Sequence, residues 1–159
     1  MRRLVLPVIA AIGLLIGLLA SPAAATVHPS NWKKIFGHST SCAIGRASIN
    51  DSNKTANALT RNHRGCSSSN ALVGVPAKYL GARAVLIRAS DNAVCGDTGD
   101  RWNSSGESGQ SASVRSKFAH CGAAVYIAGA INKRKSDAGA VYSIADRVSP
   151  PVYVVYTWI

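Results

Sequence analysis

Tyr79-Leu80-Gly81-Ala82-Arg83-Ala84-Val85-Leu86-Ile87-Arg88-Ala89 carries the fold class. Side chains alternate between faces along a strand, so Val85 and Ile87 share one face and Leu86 takes the other. A strand apolar on both faces belongs in the middle of a sheet. Downstream, residues 90–110 are rich in Asp, Gly, Asn and Ser, with a short strand-like piece at 93–95. Residues 112–118, 123–131, 140–145 and 152–159 then read as strands. Residues 132–139 form a charged hairpin tip between two of them, and Pro150-Pro151 keeps the last strand from starting earlier.

Upstream, residues 71–75 lead through Pro76 into the central strand, and 61–70 is loop-like, with Gly65 and three consecutive serines. Residues 42–49 and 55–60 read as strands flanking the turn cluster Asn50-Asp51-Ser52-Asn53. Residues 26–41 are polar and irregular, tacked down by Trp32, Ile35 and Phe36. No long run has a 3.6-residue apolar period. About seven or eight short strands at this spacing predict an all-β fold, a small antiparallel β-sandwich, with a small β-barrel as the alternative.

The N-terminus has the order of an export signal. Arg2 and Arg3 precede an uncharged apolar run over residues 4–20, and Ala23-Ala24-Ala25 supplies a small-residue cleavage site. Residues 1–25 are therefore expected to be a signal peptide, and residues 26–159 a single secreted β domain. Pro7, Gly13, Gly17 and the cleavage site weigh against an uncleaved membrane anchor. The expected location is extracellular or associated with the cell wall.

Cys42, Cys66, Cys95 and Cys121 are even in number, widely spaced and on an exported chain, which favours disulfides over free thiols or a metal site. Four cysteines allow three connectivities. Sequential pairing, Cys42 with Cys66 and Cys95 with Cys121, is preferred because each bridge clips one hairpin-sized segment.

Lys and Arg number 18 against 7 Asp and Glu. Without Arg2 and Arg3, sixteen cations face seven carboxylates, a net charge of +9. Such a charge favours polyanions such as nucleic acid, wall teichoic acid or anionic lipid, and it also serves simply to keep a secreted protein soluble. The polyanion-binding residues expected on the tip are Lys133, Arg134 and Lys135.

Pro76-Ala77-Lys78-Tyr79-Leu80-Gly81-Ala82-Arg83-Ala84, Cys95, Trp102-Asn103-Ser104-Ser105, Cys121-Gly122, Tyr126, Gly129, Tyr142 and Ser149-Pro150 form a further pattern. In it the chain resembles a family of small secreted actinobacterial proteins of uncharacterised function. Lys78 stands where that family has Gly, and Trp102 where it has Tyr. The resemblance implies a secreted β domain with a disulfide between the Cys95 and Cys121 positions. It implies no activity and no site residues.

Catalytic signals are weak. Gly37-His38-Ser39-Thr40-Ser41 begins like a nucleophile elbow but has Ser where the second Gly is needed. Gly96-Asp97-Thr98-Gly99 and Gly106-Glu107-Ser108-Gly109 imitate a glycine-flanked nucleophile, on a chain too short for a two-barrel protease. His28, His38, His63 and His120 lack zinc-ligand spacing, and no cofactor is expected. His63, between Arg61 and Arg64, is the residue through which a secreted nuclease would act. A solvated basic loop is the preferred reading of that segment. Asp91, Asp97, Asp100 and Glu107 offer hard oxygen ligands that could hold calcium, but a solvated acidic loop offsetting nearby arginines is preferred. The sequence thus predicts a secreted, non-catalytic binding or structural module meeting an anionic cell-surface polymer or a protein partner. A secreted nuclease or other small hydrolase, and a secreted protein inhibitor using the 132–139 tip, are the alternatives.

Overall fold

A computed structural model of the protein describes residues 26–37, 40–50, 55–115, 121 and 124–147. The described residues form β1 (Val27–Pro29), β2 (Lys33–Gly37), β3 (Cys42–Asn50), β4 (Thr55–His63), β5 (Leu80–Arg88), β6 (Val94–Asp97), β7 (Arg101–Trp102), β8 (Gly109–Arg115), β9 (Tyr126–Lys135) and β10 (Val141–Arg147). All pair antiparallel in two sheets. One runs β1-β3-β4-β8, with β2 sharing the edge of β3 with β1; the other runs β10-β9-β5-β6, with β7 sharing the edge of β5 with β6. Among the described residues neither sheet closes on itself, so the fold is the sandwich and not the barrel.

The interior follows the two-residue alternation. Ala47, Ile49, Ala56 and Ala58 from the β3 sheet meet Ala82, Ala84, Leu86, Tyr126, Ala128 and Ala130 from the β5 sheet. Alanines opposite a few large side chains let the two inner faces interlock. Each fully buried Ile49 or Leu86 contributes about 1.5–3 kcal/mol. Leu86, one of the residues that marked the central strand, is 1 % exposed.

Towards the other end the interior turns polar. Gly45 faces Asn132 so closely that a Cβ would lie 2.5 Å from its side chain, which explains the absence of a side chain there. Thr60 Oγ1 lies 2.7 Å from Gly81 O and 2.9 Å from Asn132 Oδ1, while Asn132 Nδ2 is enclosed without a partner. One hydroxyl hydrogen serves one acceptor. Turning the Asn132 amide over lets its nitrogen donate to Thr60 while Thr60 donates to Gly81 O, and this is the arrangement we adopt. Asn103, 3 % exposed, closes the same end. Its Oδ1 accepts from the Tyr79 and Leu80 N–H groups at 2.9 and 2.7 Å, and its Nδ2 donates to Pro76 O and Ser104 O at 3.0 and 2.7 Å.

The disulfides are sequential, Cys42–Cys66 and Cys95–Cys121, with Cα atoms 5.0 and 5.7 Å apart. Loops of this length contribute about 3–4 kcal/mol each in the chain-entropy model. Such bridges suit an oxidising compartment.

Several expectations need correction. Residues 27–29 and 33–37 are not irregular, because they form β1 and β2, which both hydrogen-bond to β3. The second uses a register shift after Lys34 that sends Ile35 to the small core of Ala43, Val75 and Leu80, and Phe36 onto Tyr142. Backbone pairing, not side-chain alternation, makes these strands. Residues 61–63 extend β4, and 71–75 supplies only a bridge from Leu72 to His63. The tip is shorter than 132–139. Asn132 to Lys135 belong to β9, and the turn is Ser136-Asp137-Ala138-Gly139, with Gly139 N–H donating to Ser136 O and Gly139 at φ +88°. Residues 1–25 and the expected strand at 152–159 lie outside the described residues.

Candidate polyanion-binding face

Because β9 runs to Lys135, the three cations expected at a solvated tip obey strand alternation instead. Lys133 points outward from the β5 sheet and is paired with Asp100. Arg134 points inward and is 7 % exposed. Three neighbouring cations can avoid a shared solvent-facing tip when a strand separates them by face. Only Lys135 of the three faces out without an ion pair among the described residues.

The carboxylates concentrate on one side. Asp51 lies outside the described residues; the others sit on the β5 sheet or in loops following its strands. Arg83 and Asp97 pair, as do Arg88 and Asp91, and Lys33 and Asp146 at 2.6 Å. The Arg88 hydrogen bonds pull the Asp91 carboxyl down to about 2, and Arg83 holds Asp97 below the usual carboxylate range. Burial alone would raise Asp146, but hydrogen bonds from Lys33 and Ser30 more than offset it and its net shift is downward. Asp100 goes to Lys133, and Glu107 accepts from the Ser104 N–H. The four acidic residues between positions 91 and 107, a stretch that holds β6 and β7 and is not one loop, therefore have four separate partners. Among the described residues, no three His, Cys, Asp or Glu side chains converge as a metal site would require.

The outer face of the β3 sheet is different. The register sets Arg46 opposite Leu59, Ser48 opposite Asn57, and Leu59 and Asn57 opposite Ser111 and Ser113. Ser113 Oγ donates to Asn57 Oδ1 at 2.6 Å, which confirms that these side chains share a face. Arg61 lies two residues along from Leu59. Trp32, one step before β2, comes beside Arg46, and both the Arg46 and Arg61 guanidiniums lie over its ring, at 4.5 and 5.7 Å. Burial and, after it, the neighbouring Arg61 lower the Arg46 pKa. Lys34 and Arg115 extend the same face and are exposed. Among the described residues, none of Lys34, Arg46, Arg61 and Arg115 has a carboxylate within ion-pair distance. Four cations without a described carboxylate partner thus share the outer face of one sheet, two of them over one indole.

Sequence reasoning missed this face. The signal was available in the period of two: Ala43, Ala47 and Ile49 on one side of β3 leave Arg46 on the other, and Ala56 and Ala58 do the same for Arg61.

His63 sits at the end of β4 on that outer side, but the 64–72 loop, clamped by Cys42–Cys66, covers it. The ring is 2 % exposed, its Nδ1 is 2.7 Å from Asn70 O, and its Nε2 is enclosed without a partner. No phosphate can reach it in this conformation. The reading of His63 as part of a solvated basic loop is also corrected: the ring is buried while Arg64 is exposed. His38 and Ser39 of the elbow-like motif, and His120, lie outside the described residues.

Scans against protein-family models, curated proteins and solved structures each found no match to this chain.

Proposed function

We propose that the protein is a secreted, non-catalytic binding module whose β3-sheet face holds a phosphodiester polymer, the chemistry shared by wall teichoic acid and nucleic acid. The observation that carries the reading is Trp32 under Arg46 and Arg61 on a face without a described carboxylate, while Arg83, Arg88 and Lys133 of the opposite sheet are paired with Asp97, Asp91 and Asp100. Arginine forks match phosphate oxygens, and an aromatic between them offers a surface for a base or sugar. A row of such cations across adjacent strands spans successive phosphates of an extended chain.

Titration of residues 26–159 with a single-stranded oligonucleotide, and separately with poly(glycerol phosphate), tests it by NMR. Shifts should gather on the Trp32 indole, Lys34, Arg46, Arg61 and Arg115. The polymer that shifts them at lower concentration identifies the source of the phosphodiester. Shifts confined to Arg83, Arg88 and Lys133 would place the interface on the wrong sheet and refute the proposal.

A further inference from the structure

Arg134 lies apart from that face. Inward-pointing at the end of β9, it stacks over Tyr79 at 5.0 Å, and its Nη1 donates to Lys135 O. Among the described residues no carboxylate lies within ion-pair distance of it. Burial lowers its pKa, with Asp137 and Tyr79 opposing. Yet the fork is not sealed. The enclosed polar side-chain atoms without partners are His63 Nε2 and Asn132 Nδ2, so the remaining guanidinium N–H groups are not buried unpaired. Arg134 lines a pocket of about 130 Å³ together with Phe36, Thr40, Ser41, Ser136 and Asp137.

The pocket's polar groups are divided by role. Ser136 Oγ accepts the Ala140 N–H at 3.1 Å, which leaves its own hydrogen for a ligand acceptor beside the Arg134 fork. Ser41 Oγ donates to Asn62 Oδ1 at 3.1 Å, which leaves lone pairs for a ligand donor, and the Asp137 carboxylate is a second acceptor. Phe36, stacked on Tyr142 at 4.1 Å between centroids, supplies an apolar wall. The volume approaches that of the roughly 150 Å³ cavity known to hold benzene, enough for a carboxylate on two or three carbons and too small for a polymer segment.

We infer that this pocket binds a small monoanionic carboxylate bearing a hydroxyl or amino donor on the adjacent carbon. The planar fork takes the carboxylate in two parallel hydrogen bonds. The adjacent donor meets Asp137 or Ser41. Asp137 also sets the charge class, because a second negative charge on the ligand would be repelled where one is tolerated.

Sodium lactate and inorganic phosphate at about pH 7.5 are the probes, titrated at constant ionic strength and followed on the Thr40, Ser41 and Ser136 amides. Lactate should bind at least about tenfold more tightly than phosphate, and Arg134→Gln should weaken lactate by about tenfold or more. Asp137→Asn, at an exposed turn position, should leave the fold intact and strengthen phosphate at least about threefold relative to lactate. It keeps the test sharp if Arg134→Gln does not fold. Absence of shifts up to about 50 mM lactate, a binding free energy weaker than about −1.8 kcal/mol, would overturn the assignment. So would shifts indifferent to Arg134→Gln, or an unchanged lactate-to-phosphate ratio in Asp137→Asn.

Discussion

Replacing Asn103 by Ala removes a side chain that is 3 % exposed and serves four backbone groups: the N–H groups of Tyr79 and Leu80 and the carbonyls of Pro76 and Ser104. A buried polar group left unpaired costs about 1–3 kcal/mol. Water entering the space vacated by the amide would re-solvate part of the set, so the sum falls near the low end, about 3–5 kcal/mol. A domain margin of about 5–15 kcal/mol makes that a large fraction of stability. For a chain of this size each kcal/mol lowers Tm by roughly 3–5 °C, which predicts a fall of about 10–20 °C. Thermal unfolding by circular dichroism with disulfides intact is the assay. An Asn103→Ala protein melting within about 3 °C of wild type would refute the argument that this amide holds the entry to β5.

Other changes probe single features. Gly45→Ala should cost about 1–3 kcal/mol, read as a lower urea midpoint, since the new Cβ meets the enclosed Asn132 amide. Lys78 sits at φ +63°, a left-handed conformation that costs a non-glycine residue about 1 kcal/mol, so Lys78→Gly should raise the melting temperature and Lys78→Val should lower it. Asp146 has a folded pKa below its unfolded value near 3.9, so its stabilisation is present above about pH 4 and is lost as pH falls through the folded value. Asp91, held at about 2, adds the same sign over the window from about pH 4 to 2. Asp146→Asn should therefore cost about 1–2 kcal/mol at pH 7 and make Tm fall less steeply below pH 4; an unchanged acid limb would show that Lys33 and Ser30 contribute nothing there.

The strongest structural signals in the sequence were those where alternation and turn chemistry agreed. Residues 79–89 gave a central strand because apolar residues occupied both faces, and the disulfides take the sequential pairing preferred among the three that four cysteines allow. The errors fall where polar residues enter the interior. Asn132 and Arg134 looked like loop residues because their burial depends on partners distant in sequence, Thr60 for one and Tyr79 for the other. The Ser136-Asp137-Ala138-Gly139 turn carried the proper turn residues all along, but the charges before it drew the boundary too early. Strands β1 and β2 escaped notice because their existence depends on the free edge of β3, which no local pattern encodes. The candidate face was readable in part: alternation assigns Arg46 and Arg61 to one side, but bringing Trp32 over both requires the β2–β3 register.

The salt dependence of polymer binding tests the central claim most directly. A Lys34→Gln, Arg46→Gln, Arg61→Gln protein is compared with wild type and with a Lys133→Gln, Lys135→Gln protein, each titrated with a single-stranded oligonucleotide and with poly(glycerol phosphate). Three lost phosphate contacts should flatten the oligonucleotide slope of log K against log salt by about 2, while the β5-sheet pair leaves it close to wild type. An unchanged slope in the first protein, or an equal loss in the second, would contradict the account.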